Sequence, residues 1–218
     1  MQNATKIVAT TFGLLAGLGG LEHGIGEMFQ GNRAPAGIMI ASWPEAEAMR
    51  ILGGEPAMTL VPNLLVSGML TILVALTILV WSIAFLPRKY GGLILLLLAV
   101  ILLLVGGGFG PPLFGLIAGL AATRINASFT WWRAHLPVNT RRVLARIWPW
   151  SYALTLTAWL AVLPGVPIIG YFFPLVDPSV IYTLILLAFV SLLVTIVIGF
   201  VHDSYRQSAA YPTPVMGR

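Results

Sequence analysis

The sequence contains no cysteine and little charge, and each shortage excludes a class of protein. Without a thiol there is no disulfide, no thiolate metal ligand and no cysteine nucleophile. Asp, Glu, Lys and Arg make up 9% of the residues against 58% hydrophobic ones, and mean hydropathy is +0.93. Soluble domains carry roughly 25% charged residues, so lipid is the solvent that suits this chain. Several runs of spanning length within 218 residues leave no room for a separate soluble catalytic domain. No internal repeat is evident that would suggest an inverted-repeat transporter. The net charge of +5 reads as cytoplasmic loop charge, and no nucleic-acid partner is expected.

What is present is organised as five apolar runs, at residues 7–21, 60–86, 91–122, 147–173 and 180–201. The third has no charged residue and is interrupted by Gly106-Gly107-Gly108-Phe109-Gly110-Pro111-Pro112. At about 1.5 Å per residue an unbroken helix of that length would overrun a hydrocarbon core of about 30 Å, so the chain must turn or unwind there. Counted as two spans, it places Lys6, Arg88, Lys89, Arg124, Arg133, Arg141, Arg142, Arg146, Arg206 and Arg218 on one face. Only Arg33 and Arg50 remain on the other, so ten of the 12 basic residues share a side. Counted once, the bias largely disappears.

The expected architecture is therefore an all-α, polytopic membrane bundle over residues 1–206, with both termini cytoplasmic and a location in the cell (plasma or inner) membrane. Six spans are expected near residues 6–28, 60–86, 90–107, 111–132, 146–173 and 179–202, followed by a mobile tail at 207–218. Five spans with a re-entrant segment at 91–122 is the alternative. The fourth span reaches sufficient length only if its helix runs past Arg124 toward Trp131 and Trp132, with Arg124 snorkelling to the headgroups.

Residues 1–21 imitate a secretory signal, but no small-x-small cleavage site follows, and they read as a retained first helix. Gly13 and Gly17, like Ala16, Gly20 and Gly24, form ridges for close helix contact, within the chain or in a homo- or hetero-oligomer. In the external loop, residues 29–59, Ser42-Trp43-Pro44-Glu45 has the pattern of a capping box, which predicts a short helix over 43–52. Asn139 or Thr140 is expected to cap a cytoplasmic helix, Pro149 to kink it, and Pro164-Gly165-Val166-Pro167 to stop it.

Ionisable groups close to a span are costly, and Glu22, His23 and Glu27 stand out on that ground. His23 and Glu27 are four apart, so a helix puts imidazole and carboxylate on one face, suited to substrate or proton contact. Two ligands do not make a metal site; a third would have to come from Glu55, Glu45 or Glu47, and no metal or cofactor is expected. Gly106, Gly107, Gly108 and Gly110 could present backbone groups to a polar solute or form a tight external turn. The glycine run lacks the Gly-Lys-Ser or Gly-Lys-Thr of a phosphate loop. Asn63 and Ser67 could bond across helices or line a polar cavity. Arg133, Arg141, Arg142 and Arg146 are candidates for anionic lipid headgroups or a cytoplasmic partner. His202, Asp203 and Ser204 point in different directions on a helix, form no catalytic triad and mark the inner helix end.

These features admit three functions. A small permease or channel-like protein with a broken helix at residues 106–112 is the first. A non-transport structural, assembly or sensing subunit is the second. A membrane-embedded enzyme using Glu22, His23 and Glu27 is the third, weakened by the shortage of convergent polar groups.

Overall fold

A computed structural model describes residues 3–210. Of the tail expected to be mobile, residues 207–210 continue the last helix and residues 211–218 lie outside the described residues. In chain order the elements are α1 (Ala4–Phe29), strand β1 (Met39–Ala41), a 3-10 turn (Glu47–Leu52), strand β2 (Pro56–Met58), α2 (Leu64–Ala84), α3 (Gly91–Leu104), α4 (Gly110–Ala122), α5 (Thr130–His135), α6 (Val138–Phe172) and α7 (Pro178–Ala210). The protein is mostly helical, and α1, α2, α6 and α7 are long and apolar enough to span a membrane. At about 1.5 Å per residue, α3 and α4 are each only about 20 Å long, shorter than a hydrocarbon core.

The centre of the bundle is α1. Its first free amides are taken by side chains: Asn3 accepts from the Lys6 N–H, and the Asp203 carboxylate of α7 accepts from Ala4 N at 2.8 Å, Thr5 N at 2.9 Å and the Thr5 hydroxyl at 2.7 Å. Further along, its glycines are contact points. Gly24 faces Gly68 of α2, and a Cβ on either would meet the other's carbonyl oxygen. Gly19 lies on Pro111 of α4, while Gly115 lies on Ala99 and Ala16. Small-residue faces bring membrane helices close enough for extensive dispersion contact, and the ridges pack inside this chain.

Helices α6 and α7 form a pair fastened by hydroxyls. Thr195 bonds Ser151 at 2.6 Å and Thr155 at 2.9 Å, and Tyr152 reaches Thr11 of α1 at 2.7 Å. In lipid such bonds are worth about 0.6 kcal/mol each, enough to orient the pair without locking it.

Several local expectations are corrected. First, α4 stops at Ala122 and does not run toward Trp132. Turns follow, and the chain enters α5 through Phe129 at φ 47°. The freed carbonyls find distant partners: Asn3 donates to Ile125 O and Gln207 to Ala127 O. Second, α6 continues through Pro164 and Pro167 to Phe172. Gly170 lets the Ala48 carbonyl and Ile51 of the external loop rest directly on this end of α6. No side chain of Asn139 or Thr140 caps the start of α6, where Pro137 is the N-cap.

Third, residues 42–45 form no capping box, and the short helix expected over 43–52 is a 3-10 helix confined to Glu47–Leu52. The N-cap of the short 3-10 turn is Ala46, without a side-chain bond, and Gly53 ends it in the left-handed region. The loop is built on an antiparallel pair, Met39 opposite Met58, Ile40 opposite Ala57 and Ala41 opposite Pro56. This hairpin departs from an all-α fold. It extends onto the broken segment, where Thr59 bridges Val105 and the Leu60 N–H donates to Leu104 O.

Candidate functional site

The loop hairpin places two side chains on α1. Beyond the Ala41 and Pro56 pair, Ser42 N donates to Glu55 O and Trp43 N to Gly54 O, which holds Ser42 and Glu55 opposite each other. Both reach His23. Ser42 Oγ bonds His23 Nδ1 at 2.7 Å, and Glu55 Oε2 stands 3.6 Å from Nε2. Glu22 joins from the preceding position on α1, with Oε2 3.9 Å from the same nitrogen. His23 is buried, while Glu22 and Glu55 are partly covered. Glu55 has φ 58°, a left-handed conformation that costs a non-glycine residue about 1 kcal/mol, in line after Gly53 and Gly54, which share it.

The broken segment closes over the same face of α1. Gly108, at φ +72°, lies against the His23 ring, and Gly106, at φ +115°, lies against the Glu27 carboxylate; a Cβ at either position would collide. The unwound backbone is held from α2, where the Ser67 and Thr71 hydroxyls both donate to Val105 O at 2.6 Å. A Pro-Gly break in a membrane helix is tolerated where side chains satisfy the freed carbonyls, as here. Ser67 also accepts from Thr59 at 2.7 Å, and with its own proton on Val105 it has none left for Glu27. Glu27 is fully buried, and among the described residues neither of its oxygens has a hydrogen bond.

His23 and Glu27 thus share a helix face without bonding each other. One faces the loop carboxylates and Gly108, the other Gly106. Glu27 is thus an enclosed carboxylate, not a solvated charge at a helix end.

A cavity of about 330 Å³ opens between α1, α4, α6 and α7. Its floor is aromatic: Phe114 meets Trp159 edge to face at 4.4 Å, and Phe189 packs on both, at 5.2 and 4.6 Å. Its walls include Leu15, Val162, Val166 and Ile185, and Pro111 with Gly110 forms the rim below the break. The polar side chains along the lining are Glu22, His23, Glu55 and Tyr182, the first three forming one cluster. An apolar body and one convergent polar end is the chemistry of a pocket for a small amphiphile.

Apart from Gly110 at the rim, the other candidates lie elsewhere. Gly107 packs on Leu102, and Gly110 has open space where a Cβ would stand. Asn63 caps α2 by accepting from Val66 N and donates to Asn32, so it takes no part in the cavity. Arg142 and Arg146 are exposed and Arg133 is half-buried, but Arg141 is buried and donates to Leu136 O and Ser208 Oγ. His135 stacks on Trp131. Asp203 has the capping role at α1 already described, a contact between residues 198 and 199 positions apart that no local pattern reveals.

Sequence reasoning missed Ser42 as a partner of His23, because its spacing to Glu45 fits a cap. It also missed the aromatic floor, since Phe114, Trp159 and Phe189 come from three helices with no shared motif. No protein-family model matches this chain, and neither a curated protein nor a solved structure matches it. The reading of function therefore rests on the geometry.

Proposed function

We propose that the chain is a six-span membrane protein with both termini cytoplasmic, in which the short α3 and α4 go out and back as a hairpin that local thinning of the bilayer accommodates, acting as a small permease-type carrier that takes an amphiphilic molecule into the cavity between α1, α4, α6 and α7. The observation that carries this reading is the two-ended chemistry of that cavity: an aromatic and aliphatic body, closed at one end by Glu22, His23 and Glu55. The apolar body supplies affinity and the polar end supplies orientation. Placing ten of the 12 basic residues inside sets the polar end at the outer face. Exposed basic side chains at the inner face, Arg142 and Arg146, then meet anionic headgroups.

Two features suit movement of a bound molecule. The α6 and α7 pair borders one side of the cavity, and its hydrogen bonds to α1, through Tyr152 and Asp203, lie beyond Trp159 and Phe189, away from the polar end. The broken segment borders the other side, and unwound membrane helices commonly lie at carrier sites.

The test uses the purified full chain in nanodiscs and brominated decanoate, whose bromine quenches a nearby indole. Saturable quenching that disappears in Trp159→Phe and in Ile185→Trp, which fills the cavity, supports the site. Uptake of decanoate into proteoliposomes, abolished by Ile185→Trp, supports transport. Quenching that rises linearly with concentration and is the same in all three proteins overturns the reading.

A further inference from the structure

Two carboxylates and an imidazole converge at the polar end of the cavity at distances that are not those of hydrogen bonds. Nε2 of His23 stands 3.6 Å from Glu55 Oε2 and 3.9 Å from Glu22 Oε2, beyond the roughly 3.2 Å reach of an N–H···O bond. One donor atom from each of the three residues lies within 4.8 Å of the others. Donors held about 2.0–2.2 Å from a tetrahedral metal are separated by about 3.3–3.6 Å. The two His23 separations, 3.6 and 3.9 Å, lie at that edge or a few tenths of an ångström beyond it, and the third, bounded at 4.8 Å, closes by rotation of the Glu22 and Glu55 side chains.

A second observation comes from the orientation of the ring. The His23 side chain is 8% exposed, its Nδ1 is engaged by Ser42, and its Nε2, which faces Gly108 and both carboxylates, has no hydrogen bond among the described residues. Metal-binding histidines are held in this way: one nitrogen is fixed by an outer hydroxyl, carbonyl or carboxylate while the other offers its lone pair. Oε1 of Glu22 and Oε2 of Glu55 are also buried and have no hydrogen bond among the described residues. The basic side chains of the loop turn elsewhere, Arg33 to the Gln30 carbonyl and Arg50 to Glu47.

The structure assigns a divalent transition-metal site to Glu22, His23 and Glu55, with Ser42 fixing the His23 ring and one coordination position facing the cavity. One nitrogen and two carboxylate donors without sulfur suit Zn²⁺, Mn²⁺ or Co²⁺ and disfavour Cu⁺. Nδ1 keeps its proton and donates it to Ser42 Oγ, which leaves the Nε2 lone pair for the ion. The metal assignment stands on these residues alone. The use of the open position rests on the carrier reading: an amphiphile with an anionic oxygen head, such as a carboxylate, completes the coordination while its chain lies over Phe114 and Trp159.

The test is Co²⁺ titration of the purified, chelator-stripped full chain in nanodiscs, read by visible absorption and by metal analysis after desalting. One equivalent is expected, with a ligand-field band of nitrogen and oxygen coordination. His23→Ala and Glu55→Gly are expected to weaken binding by more than about 100-fold, since loss of an outer partner alone costs about 10- to 100-fold. Glycine suits the left-handed backbone of residue 55, so Glu55→Gly keeps the loop fold. Absence of stoichiometric binding in the wild type, or binding undiminished in both variants, overturns the site. A Co²⁺ band that shifts when decanoate is added supports both proposals. Stoichiometric Co²⁺ binding with no decanoate effect on the band or on Trp159 supports the metal site and overturns the carrier reading.

Discussion

Gly108 lies against the imidazole of His23, with a backbone φ of +72° and no room for a Cβ. The contact ties the break between α3 and α4 to the polar end of the cavity. Alanine at 108 would combine a left-handed strain with a collision, and Gly108→Ala is expected to cost about 1–3 kcal/mol. Gly110→Ala, with open space around it, is expected to stay within about 0.5 kcal/mol. Thermal unfolding of the two variants in detergent checks the difference; equal stability would place the break away from His23.

Ser42 holds the His23 ring from a loop 19 residues away in sequence. Ser42→Ala is expected to leave the bundle folded and to weaken Co²⁺ binding by about 10- to 100-fold, because a ligand loses its orienting partner. Ser42→Thr, which keeps the hydroxyl, is expected to restore most of it. Titration of both variants separates ring orientation from loop unfolding.

Asp203 closes the amino end of α1 from the far end of the chain, accepting three hydrogen bonds through its two oxygens. Asp203→Ala leaves the Ala4 and Thr5 amides and the Thr5 hydroxyl without their acceptor, and is expected to destabilise the protein by about 2–4 kcal/mol. A melting temperature unchanged from wild type would remove this capping role.

Asp177 lies outside the spans and accepts from Ser179 N at 2.8 Å, and this bond holds its carboxyl below the usual carboxylate range. A depressed value in the folded state means that the contribution is complete above the ordinary carboxylate range and is lost as pH falls through the folded value. Amide exchange at Ser179 is therefore expected to be slow at neutral pH and to gain an extra acceleration in strong acid. Asp177→Asn, which accepts the same bond without titrating, is expected to lack that acceleration. The same acid response in both proteins would count against the assignment.

Absence of native cysteine makes orientation directly testable. In intact cells an impermeant thiol reagent is expected to label Phe109→Cys, which is exposed at the break, and to reach Arg88→Cys and Arg133→Cys only after permeabilisation. Labelling of all three from outside would refute the six-span arrangement.

The sequence by itself determined the solvent and the pieces. Long uncharged runs leave α1, α2, α6 and α7 no stable state except as apolar helices, because a helix satisfies its own backbone where water is absent. Glycine and proline at 106–112 determined the position of the break, since no regular helix accommodates that run. The sequence also marked Glu22, His23 and Glu27 as costly groups near a span. Only the tertiary structure decided what they touch. Helical spacing pairs His23 with Glu27, but a hairpin formed through backbone bonds brings Ser42 and Glu55 onto His23, and the break meets Glu27 instead. Backbone pairing across a long loop leaves little trace in side-chain periodicity, so the hairpin was illegible, and the sequence offered Glu55 only as one of three loop carboxylates that could join His23. The cavity was hidden for a related reason: dispersion contact between Phe114, Trp159 and Phe189 depends on the angle at which three separate helices meet, and no single helix encodes that angle.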